Sequence, residues 1–342
     1  MSFRLSLIYL LVFALPLAGC DPSPTTGSDA AEHDQARAGA LRIVSLAPHI
    51  AELVFAVGAG ESLVGVTAYT NYPDAAAKLP HVGDAFAVDQ EQLAVLKPDL
   101  LLAWKSGTAA HVVDELRKQG YRVEVIETTG LKDVVAALQY IGRLTGRELQ
   151  AQQLAESFKR GLDELAERYR EAPPITVFYQ VSNRPLYTIN GDHYVSELIT
   201  ICGGRNIFAE LGNLAPMVDV EAVLARDPEA MLASDDSQDD AFAVWHRWSE
   251  LAANRYGNYF FLPADEIGRA TPRLLQAGKT LCEALDEGRR NRGSTYSTPA
   301  GLATSERSQP SIRLLSHIVS VPDSSRARRL ATTNNRSDKR FR

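Results

Sequence analysis

The chain has 342 residues, of which 45% are hydrophobic and 23% are charged, so it is long enough for two domains with sizeable cores. Its net charge is −6, but residues 289–342 hold twelve Lys and Arg against three acids, which leaves −15 on the rest of the chain. This negative charge argues against a nucleic-acid-binding protein.

Residues 1–19 have the pattern of an export signal, in which an early basic residue precedes an apolar run too short to span a bilayer as a mature helix. Small residues stand directly before Cys20, which is typical of bacterial lipoproteins that are lipidated at that cysteine. An ordinary secretory signal is the alternative. Asp21 favours retention at the inner membrane, and the composition of residues 20–40 predicts a flexible tether.

Strands alternate with helices in residues 41–146, which predicts an N-terminal lobe with a mostly parallel sheet. Residues 147–172 contain one glycine before the Pro pair at 173–174 and are dense in Glu, Arg, Gln, Leu and Ala. They predict a rigid connecting helix of roughly 35 Å, whereas a flexible hinge would be rich in Gly or Ser.

Residues 173–288 predict a second α/β lobe. Its predicted elements are strands at 175–181 and 259–262 and helices at 194–201, 241–253 and 272–285. From residue 289 the chain is rich in Ser, Thr, Arg, Asn and Pro, so residues 289–342 predict a disordered basic tail.

An internal repeat relates the two lobes. Residues 88–103 and 218–233 share six of sixteen positions, and each copy has an Asp, a Glu two residues later, an apolar stripe, a Pro and a short apolar run. Glu52 and Glu197 also occupy matching places before a helix-ending glycine. We therefore predict an α/β fold of two similar lobes, each with a mostly parallel central sheet, bridged by one long rigid α-helix.

No catalytic or metal-binding signature is present in the sequence. It has no G-x-S-x-G, H-E-x-x-H or C-x-x-C motif, and its seven histidines form no local pair. We predict neither a catalytic residue nor a metal site, the convergence of His49 and His81 in a cleft being the alternative. Export would favour a disulfide between Cys202 and Cys282, and two buried thiols are the alternative.

A ligand cleft is predicted where the carboxyl ends of the parallel strands meet, because ligands bind there in α/β sheets. Aromatic side chains with a few polar groups would suit a large, flat or partly apolar ligand, although each aromatic alone would also suit core packing. The candidates at these ends are Pro48, Tyr69, Trp104, Tyr187, Asp265, Glu266, Ile267, Gly268 and Arg269.

Residues 41–288 resemble the helical-backbone (class III) periplasmic binding proteins of ABC importers, and among them the cobalamin binders. The motifs that carry the resemblance are RIVSLAP at 42–48, Glu52-Leu53, VGV at 64–66, Tyr72-Pro73, LKPDL at 96–100, CGGRNIF at 202–208 and RATPR at 269–273. The resemblance implies two lobes, a transported cobalamin or related corrinoid held between them, no cofactor and no reaction.

The resemblance also implies partners and roles. Glu91 and Glu221 would dock onto the membrane permease and its ATPase complex, and Cys202 and Cys282 would form the family's disulfide. The ligand contacts would fall on Tyr69, Trp104, Phe86 and the loop 265–269. We expect a monomer in the periplasm, held at the inner membrane by a lipid on Cys20, with no nucleic-acid partner.

Some aromatic positions of the cobalamin binders are not retained. Ala85, Ala215 and Glu266 stand where an aromatic is expected. Ferric siderophores and haem are therefore alternative ligands: a siderophore would need several cations, of which Lys105, Arg184 and Arg269 are candidates, and haem would need an axial Tyr69 or His81. A chelatase-like or cofactor-modifying enzyme on the same architecture is the alternative from another class.

Overall fold

Two four-stranded parallel sheets organise the residues that the computed structural model describes, 41–84, 87–237 and 241–295. The N-terminal lobe consists of β1 (Ile43–Ser45), α1 (Pro48–Ala56), a 3-10 turn (Gly60–Ser62), β2 (Leu63–Gly65), α2 (Asp74–Ala77), α3 (Gln90–Leu96), β3 (Leu100–Trp104), α4 (Ala110–Lys118), β4 (Val123–Ile126) and α5 (Leu131–Thr145). Its strand order is β2-β1-β3-β4.

One long helix, α6 (Glu148–Tyr169), leads into the second lobe. That lobe consists of β5 (Ile175–Gln180), β6 (Ser182–Asn183), β7 (Leu186–Tyr187), α7 (Tyr194–Ile201), β8 (Gly204–Asn206), α8 (Val220–Arg226), β9 (Ala230–Ser234), α9 (Ala252–Tyr256), β10 (Tyr259–Leu262), α10 (Ala264–Ile267) and α11 (Leu274–Thr295). Its strand order, β8-β5-β9-β10, repeats that of the first lobe, and β6 and β7 add a small antiparallel hairpin.

The two repeated segments have the same local structure, including the residues that cap their helices. Asp89 accepts a hydrogen bond from the Gln92 amide at 2.9 Å, and Asp219 accepts one from the Ala222 amide at 2.6 Å. Both α3 and α8 end at a residue with a left-handed φ, 44° and 42°, before the repeated Pro and the buried strands β3 and β9. Local capping and strand signals thus set this part of each lobe.

The connecting helix α6 packs against both lobes. It is 22 residues long, and its buried positions recur every three or four residues, which is the spacing of one helix face. The buried side chains on this face are Ala151, Ala155, Phe158, Leu162, Leu165 and Tyr169. They belong to a hydrophobic cluster that also includes β1 and α5 of the first lobe and β5, α7 and α11 of the second. One hydrophobic cluster therefore runs through both lobes, and each lobe has a separate cluster of its own.

The predicted helix over 241–253 is wrong. Only α9 (Ala252–Tyr256) is helical there, and the described residues before it form turns. Long-range bonds take the place of helical ones: Gln180 donates to the Ala241 carbonyl at 2.6 Å and accepts from the Trp245 indole N–H at 2.8 Å. The Asn254 side-chain amide donates to the Trp245 and Trp248 carbonyls, both at 2.7 Å.

The end of the second lobe also differs from the prediction, because α11 continues to Thr295. Arg289 donates to the Cys202 carbonyl at 2.6 Å and to the Pro173 carbonyl at 2.7 Å, and Arg292 lies 2.8 Å from Glu229. These arginines hold the last helical turns against the sheet, so the boundary expected at residue 288 is seven residues too early. The remaining part of the predicted tail, like residues 1–40, lies outside the described residues.

The disulfide expected between Cys202 and Cys282 is confirmed, and it joins the end of α7 to α11. Across the described ranges, no helix is both long enough and apolar enough to cross a membrane.

Candidate ligand-binding cleft

A cleft of about 520 Å³ lies where the carboxyl ends of β3, β5 and β9 face one another across the two lobes. Its position is the one predicted from strand direction. The first lobe contributes Trp104, Ser106 and Thr128. The second lobe contributes Tyr179, Gln180, Val181, Ser182, Asn183, Ile189, His193, Tyr194, Val195, Leu214, Ser234, Asp236, Ser237, Ala241, Ala264, Ile267 and Gly268.

Aromatic rings line the cleft from both lobes. Trp104 meets His49 edge-on, with ring centroids 4.9 Å apart, and its buried indole N–H has no hydrogen-bond partner among the described residues. Burial raises the pKa of the Tyr179 and Tyr194 phenols, so both are neutral at pH 7. The cleft thus offers neutral aromatic surface to a ligand.

His193 is a neutral hydrogen-bond donor at the cleft. Its Nδ1 accepts a hydrogen bond from the Val195 amide at 3.2 Å, which caps α7, and its ring lies 4.1 Å from that of Tyr194. Burial lowers the pKa of His193 to about 4, so the imidazole is neutral at pH 7. With Nδ1 accepting, the remaining proton must sit on Nε2.

Charge is scarce in this cleft. Among the described lining residues, Asp236 is the one Asp or Glu, and it accepts a hydrogen bond from the Ser234 hydroxyl at 2.6 Å. Besides the His193 imidazole and the Trp104 indole, the other polar lining groups are hydroxyls and amides, which can donate and accept hydrogen bonds without charge. No Lys or Arg lies within the described lining.

The structure brings some predicted residues into the cleft and gathers others beside it. Trp104, Ile267 and Gly268 line the cleft. Arg269 lies 2.8 Å from Asp265 and donates to the Tyr69 carbonyl at 3.2 Å, so these three predicted residues meet where the lobes join. Tyr69 is 83% exposed.

Other predicted ligand residues do not contribute to the cleft lining. Pro48 starts α1, Tyr187 lies in the β6–β7 hairpin, and Glu266 faces Arg273 at 3.7 Å. Phe86 lies outside the described residues. The cations considered for a siderophore, Lys105, Arg184 and Arg269, do not line the cleft either, and Lys105 pairs with Glu127 at 2.9 Å.

Several lining residues were missed by the sequence analysis. Gln180 and Tyr179 lie at the end of a strand that was predicted correctly, and Ser234 ends the repeat strand, so their place could have been inferred from strand direction. The place of His193 and Asp236 could not be inferred in this way. A residue that caps a helix or lies in a surface turn has the same sequence pattern whether or not it faces a cleft.

Glu91 and Glu221, predicted to dock onto a permease, are exposed in the first turns of α3 and α8. His49 is buried, lies 3.3 Å from the Thr128 hydroxyl, and has its pKa lowered to about 3 by burial and then by the nearby charge of Arg269. Within the described ranges, no group of three His, Cys, Asp or Glu side chains is arranged to hold a metal ion.

A cleft between two equivalent α/β lobes joined by one long helix defines the class of periplasmic substrate-binding proteins. The family model described as "Periplasmic binding protein" matches residues 43–266, and the chain belongs to this family.

The chain is also similar to individual proteins of known ligand. The vitamin B12-binding protein of Vibrio cholerae serotype O1 is 33% identical over 247 residues, which cover 72% of this chain and 89% of that protein. The vitamin B12-binding protein of Yersinia pestis is 33% identical over 248 residues, which cover 72% of this chain and 86% of that protein. The crystal structure of the periplasmic vitamin B12 binding protein BtuF of Vibrio cholerae matches with a TM-score of 0.66, covering 73% of this chain and 98% of that one. A haem-binding protein, RhuT from Roseiflexus, shares the fold at a TM-score of 0.65 and 22% identity.

Proposed function

We propose that this chain is a periplasmic substrate-binding protein that captures cobalamin or a related corrinoid between its lobes and delivers it to an ABC importer. It carries the corrinoid as cargo and performs no reaction on it. The relatives that are 33% identical support the ligand class, because they are vitamin B12-binding proteins matched over most of their length.

The observation that carries the proposal is the cleft lining, which within the described residues holds no Lys or Arg and a single acidic side chain, Asp236. A corrinoid presents a large ring system edged with carboxamides, which need neutral donors and acceptors. Hydroxyls, amides and the His193 N–H supply such groups around Trp104, Tyr179 and Tyr194. Haem carboxylates and ferric catecholate siderophores are anionic and would favour Arg or Lys, neither of which lies in the described lining.

Axial coordination of haem iron by the histidine and tyrosines that line the cleft is also disfavoured. His193 uses its Nδ1 lone pair to cap α7, so its Nε2 carries a proton and has no lone pair for a metal. The buried phenols Tyr179 and Tyr194 have raised pKa values, which opposes the tyrosinate that would bind ferric iron.

Delivery would use the two equivalent glutamates. Glu91 and Glu221 occupy the same position in α3 and α8, one on each lobe, and both are exposed. Two such acids suit a permease that presents a pair of basic side chains. A lipid on Cys20 would keep the protein at the inner membrane, close to that permease.

Tryptophan fluorescence tests the ligand class. Cyanocobalamin absorbs strongly and should quench the emission of Trp104 at submicromolar concentration. Trp104→Phe should lose part of the quenching, the remainder coming from Trp245 beside the lining residue Gln180, whereas Trp248→Phe, at a half-exposed tryptophan outside the cleft lining, should keep nearly all of it. Tight binding of haemin or a ferric siderophore, with no response to cyanocobalamin, would contradict the proposal.

A further inference from the structure

Two glutamates at matching places in the lobes each reach into the opposite lobe. Glu52 lies on α1, the first helix after β1, and Glu197 lies on α7, the first helix after β5. Glu197 contacts the start of α5, which follows β4 of the first lobe, and Glu52 contacts arginines between α10 and the start of α11 in the second lobe.

Glu52 makes the first contact through two arginines of the second lobe. It is 3% exposed, and its Oε1 lies 2.5 Å from Arg269 Nη1. Its Oε2 lies 3.6 Å from Arg273 Nη1. Arg269 also forms an ion pair with Asp265, and it donates a hydrogen bond to the carbonyl of Tyr69 in the first lobe.

The segment that Arg269 holds has an unusual backbone. Tyr69 has a φ of 65°, a conformation that a bulky residue rarely adopts unless its surroundings impose it. Its carbonyl accepts from Arg269 at 3.2 Å, and the neighbouring Asn71 donates to Asp265 at 2.9 Å. Glu52 therefore fixes a guanidinium that in turn fixes the edge of the first lobe against the loop 265–269.

Glu197 makes the second contact, at the N-terminus of α5. Its Oε2 accepts from the Leu131 amide at 3.1 Å, where the helix dipole also favours a negative charge. Beside it, the Tyr194 amide donates to the Thr129 carbonyl at 2.9 Å. A Cβ on Gly130 would lie 2.5 Å from Glu197 Oε1, so a larger residue there would displace the carboxylate from the Leu131 amide.

We propose that Glu52 and Glu197 are positioning residues that clasp the two lobes and hold the cleft at the width that grips the ligand. Removing either acid leaves groups of the opposite lobe without their partner, so the lobes should separate more often. Bound ligand should then escape faster, while its entry changes little. The part that concerns the ligand rests on the proposed corrinoid function.

Amide exchange in the ligand-free protein tests the clasp itself. The Leu131 and Tyr194 amides bond across the lobes but not to Glu52, so they report on lobe separation when Glu52 is changed. Glu52→Gln should accelerate their exchange about tenfold. Glu156→Gln, at an exposed glutamate on α6 bonded to Gln152, is the matched control and should leave the exchange unchanged. If the Gln variant does not fold, Glu52→Asp keeps the charge, shortens its reach and should act in the same direction.

Ligand release tests the consequence. After a chase, cyanocobalamin should dissociate about tenfold faster from Glu52→Gln and from Glu197→Ala than from the parent chain, with the association rate changed by less than about threefold. Unchanged amide exchange would show that Glu52 does not hold the lobes together. Faster exchange with an unchanged dissociation rate would show that the interlobe contacts do not retain the ligand. If cyanocobalamin does not bind at all, the proposed function fails and the exchange result alone decides the clasp.

Discussion

At the scale of single residues, two histidines stay neutral because they are enclosed. Burial lowers the pKa of His49 to about 3 and of His193 to about 4, whereas both would titrate near 6.5 in an unfolded chain. The folded state therefore favours the uncharged rings. Their stabilising contribution is fully present above the unfolded pKa and is lost as the pH falls from 6.5 toward the folded values.

The direction of these two pKa shifts predicts how the stability of the protein depends on pH. The urea midpoint should fall as the pH is lowered from 7 to 4.5. The fall should be smaller in His193→Asn, because Asn keeps a side-chain cap for α7 but takes up no proton. Burial raises the pKa of Glu52 and Glu197, which acts in the opposite direction, so the difference between variant and parent is the quantity to measure. Parallel curves for the two proteins would contradict the role assigned to His193.

At the scale of elements, α3 and α8 are the best predicted parts of the chain. Each carries its own Asp cap, apolar stripe and terminating Pro, so local sequence was sufficient to place it. The segment before α9 was predicted wrongly, because its conformation depends on Gln180, about 60 residues earlier. The position of the cleft could be predicted from the direction of the strands. The placement of His193 and Asp236 and the contacts of Glu52 and Glu197 could not, because they depend on tertiary structure.

The equivalence of α3 and α8 leads to a prediction about docking. Changing Glu91 and Glu221 together to Lys should leave corrinoid affinity unchanged, since both lie outside the cleft lining, but should abolish complex formation with the permease. Pull-down with the importer in detergent measures this. Charge reversal of Glu115 on α4 and of Glu250 in the turns before α9, both of which are exposed, is the control. Full complex formation by the Glu91 and Glu221 variant would refute the docking role.

At the scale of the whole molecule, one core passes through both lobes along α6. Phe158 lies in this core at 2% exposure, so Phe158→Ala should cost about 3–5 kcal/mol of unfolding free energy. Phe261→Ala, at a half-exposed residue of β10, should cost much less. Because the core is shared, both variants should unfold in a single transition in calorimetry. Two separated transitions, one for each lobe, would show that α6 does not couple them.

A shared core and two interlobe clasps imply limited closure around the ligand, so affinity must come from the cleft as it stands. Corrinoid binding itself is measured by calorimetric titration of the purified protein with cyanocobalamin, repeated in the presence of excess haemin and of a ferric siderophore. We expect one submicromolar site per chain that neither competitor blocks. Absence of cyanocobalamin binding, or its displacement by haemin, would contradict the proposed role as a corrinoid-binding protein.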